Sequence, residues 1–239
     1  MGWLLEVKLK IYLIFLKIRG DIVIEINRKY PICDTDIWVK NSKHKKYFLK
    51  DLLFDKYEKI YMSDAVRQEI GRERDDNKKE DFLLAHKHYQ ECYKDSCINM
   101  IKLNDTNIFD EELRMTIDRE LDSYNIKYDY KEGRYKSRKK DLGETVTVVI
   151  ASMLDIPIIL CDEAKEDSIV KKYKYLDVRN MIDLLKHYYK DEGMEFIKKI
   201  RWQLSTPIAE NREMFDNISK KEVGKSKLKK FKQRYCSVS

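Results

Sequence analysis

Seven glycines and three prolines among 239 residues leave little material for long linkers or a loop-built fold, since those two residues punctuate turns and breaks. Five cysteines, Cys33, Cys92, Cys97, Cys161 and Cys236, form an odd set with no C-x-x-C spacing. They argue for reduced thiols in a cytoplasmic protein and against a disulfide framework or a zinc site. The chain also has no run of about 18 uncharged apolar residues, which a transmembrane helix requires. Its most apolar stretch, WLLEVKLKIYLIFLKI from Trp3 to Ile18, is interrupted by Glu6, Lys8, Lys10 and Lys17. No small-residue cleavage site follows it. Residues 1–28 read as an added strand pair or docking helix, with peripheral membrane attachment as the lesser alternative.

What is present suits a compact, helix-rich domain. Hydrophobic residues make up 43% of the chain, enough for a real core, and charged residues 38%. The net charge is +7, with the basic excess in Lys136–Lys140 (KSRKK) and Lys220–Arg234 (KKEVGKSKLKKFKQR). Such patches attract a polyanion by counterion release, although a solvated lysine-rich surface gives the same balance.

From Lys29 onward short apolar runs alternate with helical patterns. Tyr30–Cys33 and Lys59–Met62 read as strands. Between them, 43–54 has helical spacing through Tyr47, Leu49, Leu52 and Leu53. Ser63 is placed to cap a helix through Val66, Glu69 and Ile70. Residues 72–140 are charged and helical, an expected inserted region with one strand at Cys97–Leu103. Gly143–Leu154 (GETVTVVIASML) is rich in β-branched residues, yet Val146, Val149, Ile150 and Met153 keep a helical period. Ile156–Cys161 (IPIILC) then reads as a buried parallel strand. A short strand at Tyr175–Val178 and helix over 179–204 complete the domain. The expected organisation is an extension over 1–28, a domain over 29–205 and a basic tail over 206–239. The fold class is α/β, with a mainly parallel sheet between helical layers.

A parallel sheet binds ligands beyond the carboxyl ends of its strands. Asp34 ends the first strand and Asp162 follows the later one, so both belong at that edge. Glu69 shares a helical stripe with Val66 and Ile70, and Glu144 begins a helix whose dipole favours negative charge. Four carboxylates without histidine or cysteine suit a hard cation, Mg²⁺ or Mn²⁺. Each acid taken singly has a bland explanation as a turn, cap or surface residue. Asp36 reads as a helix cap.

The succession CDTDIWVK, SDAVRQEI, LGETVTVVIASML and IPIILCDEAKE resembles the PIN-domain nucleases, a family that includes toxin halves of bacterial toxin-antitoxin pairs. The resemblance spans residues 29 to about 180. It implies a three-layer α/β/α domain and metal-dependent cleavage of RNA by Asp34, Glu69, Glu144 and Asp162, with Glu163 as a supporting ligand. Dimerisation and an inhibitory antitoxin-like partner are further family traits. Cys161 stands where members often carry threonine, and Glu163 where a second aspartate is common.

Arg134, Lys136, Arg138, Lys139 and Lys140 directly precede Glu144, and Lys165 follows Asp162, so these side chains are the candidates for holding an RNA backbone. DNA presents the same phosphates. Tyr124, Tyr128, Tyr130 and Tyr135 are available for base stacking, but irregularly spaced aromatics more often pack. Two other functions stay open. One is a PIN-like module that binds RNA or protein without cutting. The other is a haloacid-dehalogenase-like phosphatase built on Asp34 and Asp36, for which Trp38 is the wrong residue type.

Overall fold

Apolar runs that do not alternate with polar residues suit strands covered on both faces, and the short runs of this chain are used in that way. The computed structural model describes residues 26–43, 49–72, 76–137, 139, 141–162 and 169–210. The expected N-terminal extension up to residue 25 and the basic tail from 211 lie outside the described residues. So do Arg138, Lys140, Glu163 and Lys165.

In chain order the elements are β1 (Ile32–Cys33), α1 (Thr35–Lys43), α2 (Leu49–Phe54), β2 (Ile60–Ser63), α3 (Asp64–Ile70), α4 (Lys79–Lys94) and β3 (Ile98–Ile101). There follow α5 (Glu111–Ser123), the strands β4 (Tyr128–Asp129) and β5 (Arg134–Tyr135), and α6 (Leu142–Met153). The described chain ends with β6 (Ile158–Leu160), β7 (Asp177–Arg179), α7 (Met181–Tyr188) and α8 (Met194–Ser205). Five strands pair in parallel in the order β3-β2-β1-β6-β7. The remaining two, β4 and β5, form an antiparallel hairpin away from that sheet.

Successive strand residues point to opposite faces, which divides the core in two. Ile32, Tyr61 and Ile159 pack with Ile117 of α5 and Val146 of α6. Cys33, Met62 and Leu160 pack with Ile37, Leu52, Phe82, Leu184 and Ile197 on the other side. The result is the expected three-layer α/β/α arrangement. Trp38 is fully buried in the second layer and donates its indole N–H to the Ala85 carbonyl at 3.0 Å. It fastens α1 to α4.

Gly143–Leu154 is helical despite its β-branched residues. Every residue of α6 from Leu142 to Ala151 is buried, so burial of the whole segment outweighs its local strand preference. The strand expected near 97–103 pairs with β2 and so joins the central sheet.

Two boundaries differ from the sequence reading. Helix begins at Thr35, because Asp34 Oδ1 accepts the Ile37 amide at 2.9 Å. Asp34 is therefore the cap and Asp36 lies inside the first turn, which corrects the role expected for Asp36. The helical stripe over 179–204 is broken into α7 and α8, with Gly193 in extended backbone starting the second helix. Among the described residues no helix is long and apolar enough to cross a membrane.

Candidate acidic site at the carboxyl edge of the sheet

The carboxyl edge between β1 and β6 is where strand order reverses: β2 lies on one side of β1 and β6 on the other. Such a switch point opens a crevice beyond the strand ends. Cys33 is in register with Leu160, and the Asp34 amide bonds the Leu160 carbonyl at 3.0 Å. Asp34 and Asp162 therefore emerge side by side in chain path, as their positions after two apolar strands predict.

Asp34 is 1% exposed. One oxygen caps α1, while Oδ2 is buried and accepts no hydrogen bond from a described N–H or O–H group. Burial holds this carboxyl well above the usual carboxylate range. The charges of Asp36 and Glu144 add to the rise, against the pull of the Ile37 amide and the Cys161 thiol.

Glu69 reaches the same region from α3. Ser63 caps that helix by accepting the Val66 amide, which sets the phase that turns Glu69 inward beside Val66 and Ile70. Its Oε2 accepts both the Thr35 hydroxyl at 2.5 Å and the Gly143 amide at 3.0 Å. A single carboxylate oxygen thus ties the residue after Asp34 to the residue before Glu144. Gly143 has no room for more. A Cβ there would lie 2.1 Å from Thr35 Oγ1 and 2.4 Å from Glu69 Oε2. Glu144, in the first turn of α6, is almost fully buried.

Asp162 is differently placed. Its Oδ1 accepts the Met181 amide at the start of α7, and Oδ2 accepts Lys40 Nζ at 2.6 Å and Arg201 at 3.3 Å. Lys40 also bonds Asp36, one turn before it on α1. Burial weakens the basicity of Lys40, but Asp36 and Asp162 more than offset this and its affinity for the proton rises.

The four predicted acids therefore come in two groups. Asp34, Glu69 and Glu144 gather through Thr35 and Gly143; Asp162 is held by Lys40, Arg201 and a helix amide. Among the described residues, no three His, Cys, Asp or Glu side chains form a ready cage for a metal ion. The donor set still fits a hard cation in kind, being all carboxylate, and the unsatisfied Oδ2 of Asp34 is the atom that such an ion would satisfy.

A cavity of about 680 Å³ lies between α3 and the β4-β5 hairpin. Arg67, Gln68 and Arg72 form one wall, and Arg134 and Lys136 the other. The Gln68 amide clamps the hairpin by pairing with both the N–H and the carbonyl of Tyr135, each at 2.8 Å. Arg72 bonds the Ser137 carbonyl at 2.6 Å. Of the predicted basic strip, Arg134 and Lys136 line this cavity, whereas Lys139 donates to the Tyr124 carbonyl instead. Tyr128 meets Tyr130 and Tyr135 edge-on, with centroids 5.0 and 4.7 Å apart, and these rings pack against one another.

Sequence reasoning overlooked Lys40, Arg201, Thr35, Arg67 and Arg72. The Asp36–Lys40 spacing of one helical turn was a legible signal. Nothing in sequence foretells Arg201, whose approach depends on how α8 docks. No family model matches the chain, and neither does any curated protein or solved structure.

Proposed function

We propose that this chain is a metal-dependent endoribonuclease whose acidic site takes Mg²⁺ or Mn²⁺. The supporting observation is Asp34: a carboxylate buried at a switch point, pressed by the charges of Asp36 and Glu144, with one oxygen that accepts no described N–H or O–H. Burying charge without a partner is costly, and Asp34 and Glu144 would hold a divalent cation that would offset that cost. When bound, such an ion activates water and offsets charge developing on a phosphodiester.

The chain's own residues supply the rest. Glu69 fixes the spacing of the Asp34 and Glu144 segments through Thr35 and Gly143. Lys40, held between Asp36 and Asp162, keeps positive charge beside the crevice, where a phosphate oxygen is attracted. Asp162 orients that ammonium and would be a further carboxylate for the cation. An inhibitory partner protein and a homodimer belong to the same proposal by resemblance to the toxin members. Unchanged growth of cells expressing the chain strongly would remove the toxin role.

The test is cleavage of a labelled RNA in Mn²⁺, with and without EDTA, by the wild type and Asp34→Asn. The wild type with metal should cut; the other preparations should not. Equal cleavage in all of them would end the proposal.

One observation favours a second function, RNA binding without cleavage. Asp162 is already neutralised by Lys40 and Arg201, so that half of the site is complete without a metal. Tight RNA binding with no Mn²⁺-stimulated turnover would select it.

A further inference from the structure

The cavity between α3 and the hairpin is separate from the acids, yet one helix serves both. Consecutive helical residues point about 100° apart, so α3 sends Glu69 to the acidic crevice and Arg67 and Gln68 to the neighbouring face. We propose that this cavity is the track for single-stranded RNA, with successive phosphates held by Arg67 and Arg72 on one wall and Arg134 and Lys136 on the other. The inference rests on the nuclease reading only for what happens to the strand after it is bound.

Four features carry it. First, cations line both walls; one phosphate needs one or two, whereas opposed pairs suit a chain carrying a charge at every nucleotide. Second, the cations are available. Arg67 is exposed and makes no ion pair with a described residue. Arg72 uses one of its five N–H donors on Ser137. Arg134 pairs with Glu132 and Lys136 with Asp129, but all but Asp129 are about half exposed or more. Exposed pairs of this kind are worth roughly 0–1 kcal/mol, so phosphate can replace the acid at little cost.

Third, His86 also lines the cavity; its Nδ1 is buried and has no hydrogen-bond partner among the described residues, while Nε2 meets Gln90 at 3.0 Å. The ring can donate or accept at that nitrogen, according to its tautomer. Fourth, the hairpin wall is fixed in place. Gly133 turns at φ +60° and Gln68 clamps Tyr135. Among the described lining residues the one carboxylate is Asp64, whose Oδ2 accepts the Leu103 amide at 3.2 Å and the Tyr128 hydroxyl at 3.0 Å while its Oδ1 has no described partner.

The experiment is fluorescence anisotropy with a labelled oligouridylate of about 12 nucleotides, a typical length for single-strand grooves. It is run in EDTA across a KCl series with the wild type, Arg67→Gln and Arg67→Gln/Arg134→Gln. Each lost phosphate contact should lower the slope of log K against log salt by about 0.7. The single variant should lose about that much and the double variant about twice as much, with unchanged melting temperatures. Uridine monophosphate at millimolar concentration should displace little of the strand. Unchanged affinity and slope in both variants would overturn the inference, as would wild type that binds no RNA or complete displacement by the mononucleotide. Loss of binding in the variants while the wild type shows no Mn²⁺-dependent cleavage would retain the track and remove the nuclease. Cleavage with undiminished variant binding would do the reverse.

Discussion

Glu69 and Gly143 are 74 positions apart and in direct contact: the Gly143 amide donates to Glu69 Oε2 at 3.0 Å. The same oxygen receives Thr35, so the geometry between Asp34 and Glu144 is set by a carboxylate that belongs to neither segment.

Gly143→Ala forces a methyl group against Thr35 Oγ1 and Glu69 Oε2. Overpacking of a buried site costs about 1–3 kcal/mol. Urea denaturation should show a loss in that range, and a change below about 0.5 kcal/mol would mean that the contact yields without resistance.

Asp34→Asn should stabilise the metal-free protein. The folded carboxyl titrates well above its unfolded value, chiefly through burial. Between those two values the native state binds more protons than the unfolded chain, so wild-type stability falls as pH rises through that window. Below the unfolded value no such loss exists. Asparagine keeps the acceptor for Ile37 and removes the charge. In EDTA at neutral pH the variant should gain on the order of 1 kcal/mol and lose this pH dependence. Equal stability of the two proteins at neutral pH would contradict the assignment.

Lys40→Met leaves Asp162 with Arg201 and strips Asp36 of its partner. Breaking a buried pair by removing one member costs about 3–5 kcal/mol. Because a cation can then take the place of the ammonium, Mn²⁺ should raise the melting temperature of the variant more than that of the wild type. Equal shifts would show that Lys40 and the metal do not compete.

Gln68→Ala removes both bonds to Tyr135. At about 1 kcal/mol for each net hydrogen bond, the hairpin should loosen by about 2 kcal/mol. The Tyr135 amide should then exchange with solvent more than tenfold faster. Unaltered exchange would place the hairpin's anchorage elsewhere.

The sheet was legible because Tyr30–Cys33, Lys59–Met62 and Ile156–Cys161 are apolar runs bounded by charge, and two-sided burial selects such runs. The helical period of Val146, Val149, Ile150 and Met153 likewise prevailed over their strand preference, since α6 is buried all round. The cap assigned to Asp36 was misplaced by two residues: sequence shows two aspartates, and only the extended backbone at the end of β1 decides which one meets the Ile37 amide. That Glu69 reaches the residues beside Asp34 and Glu144 follows from topology. The capture of Asp162 by Lys40 and Arg201 does not, because long cationic side chains find acids according to how α1 and α8 pack. The cavity walls were half legible. Arg134 and Lys136 sit in an evident basic strip, while Arg67 and Arg72 look like ordinary surface residues until the hairpin folds over them.

The most direct measurement is an anomalous difference map from crystals soaked in Mn²⁺. A metal held at the acidic site should give a peak about 2.1 Å from Asp34 Oδ2, the distance for a small hard cation and carboxylate oxygen, with a Glu144 oxygen in the same coordination shell. A map with no peak at Asp34, and Lys40 still seated on Asp162, would contradict that placement.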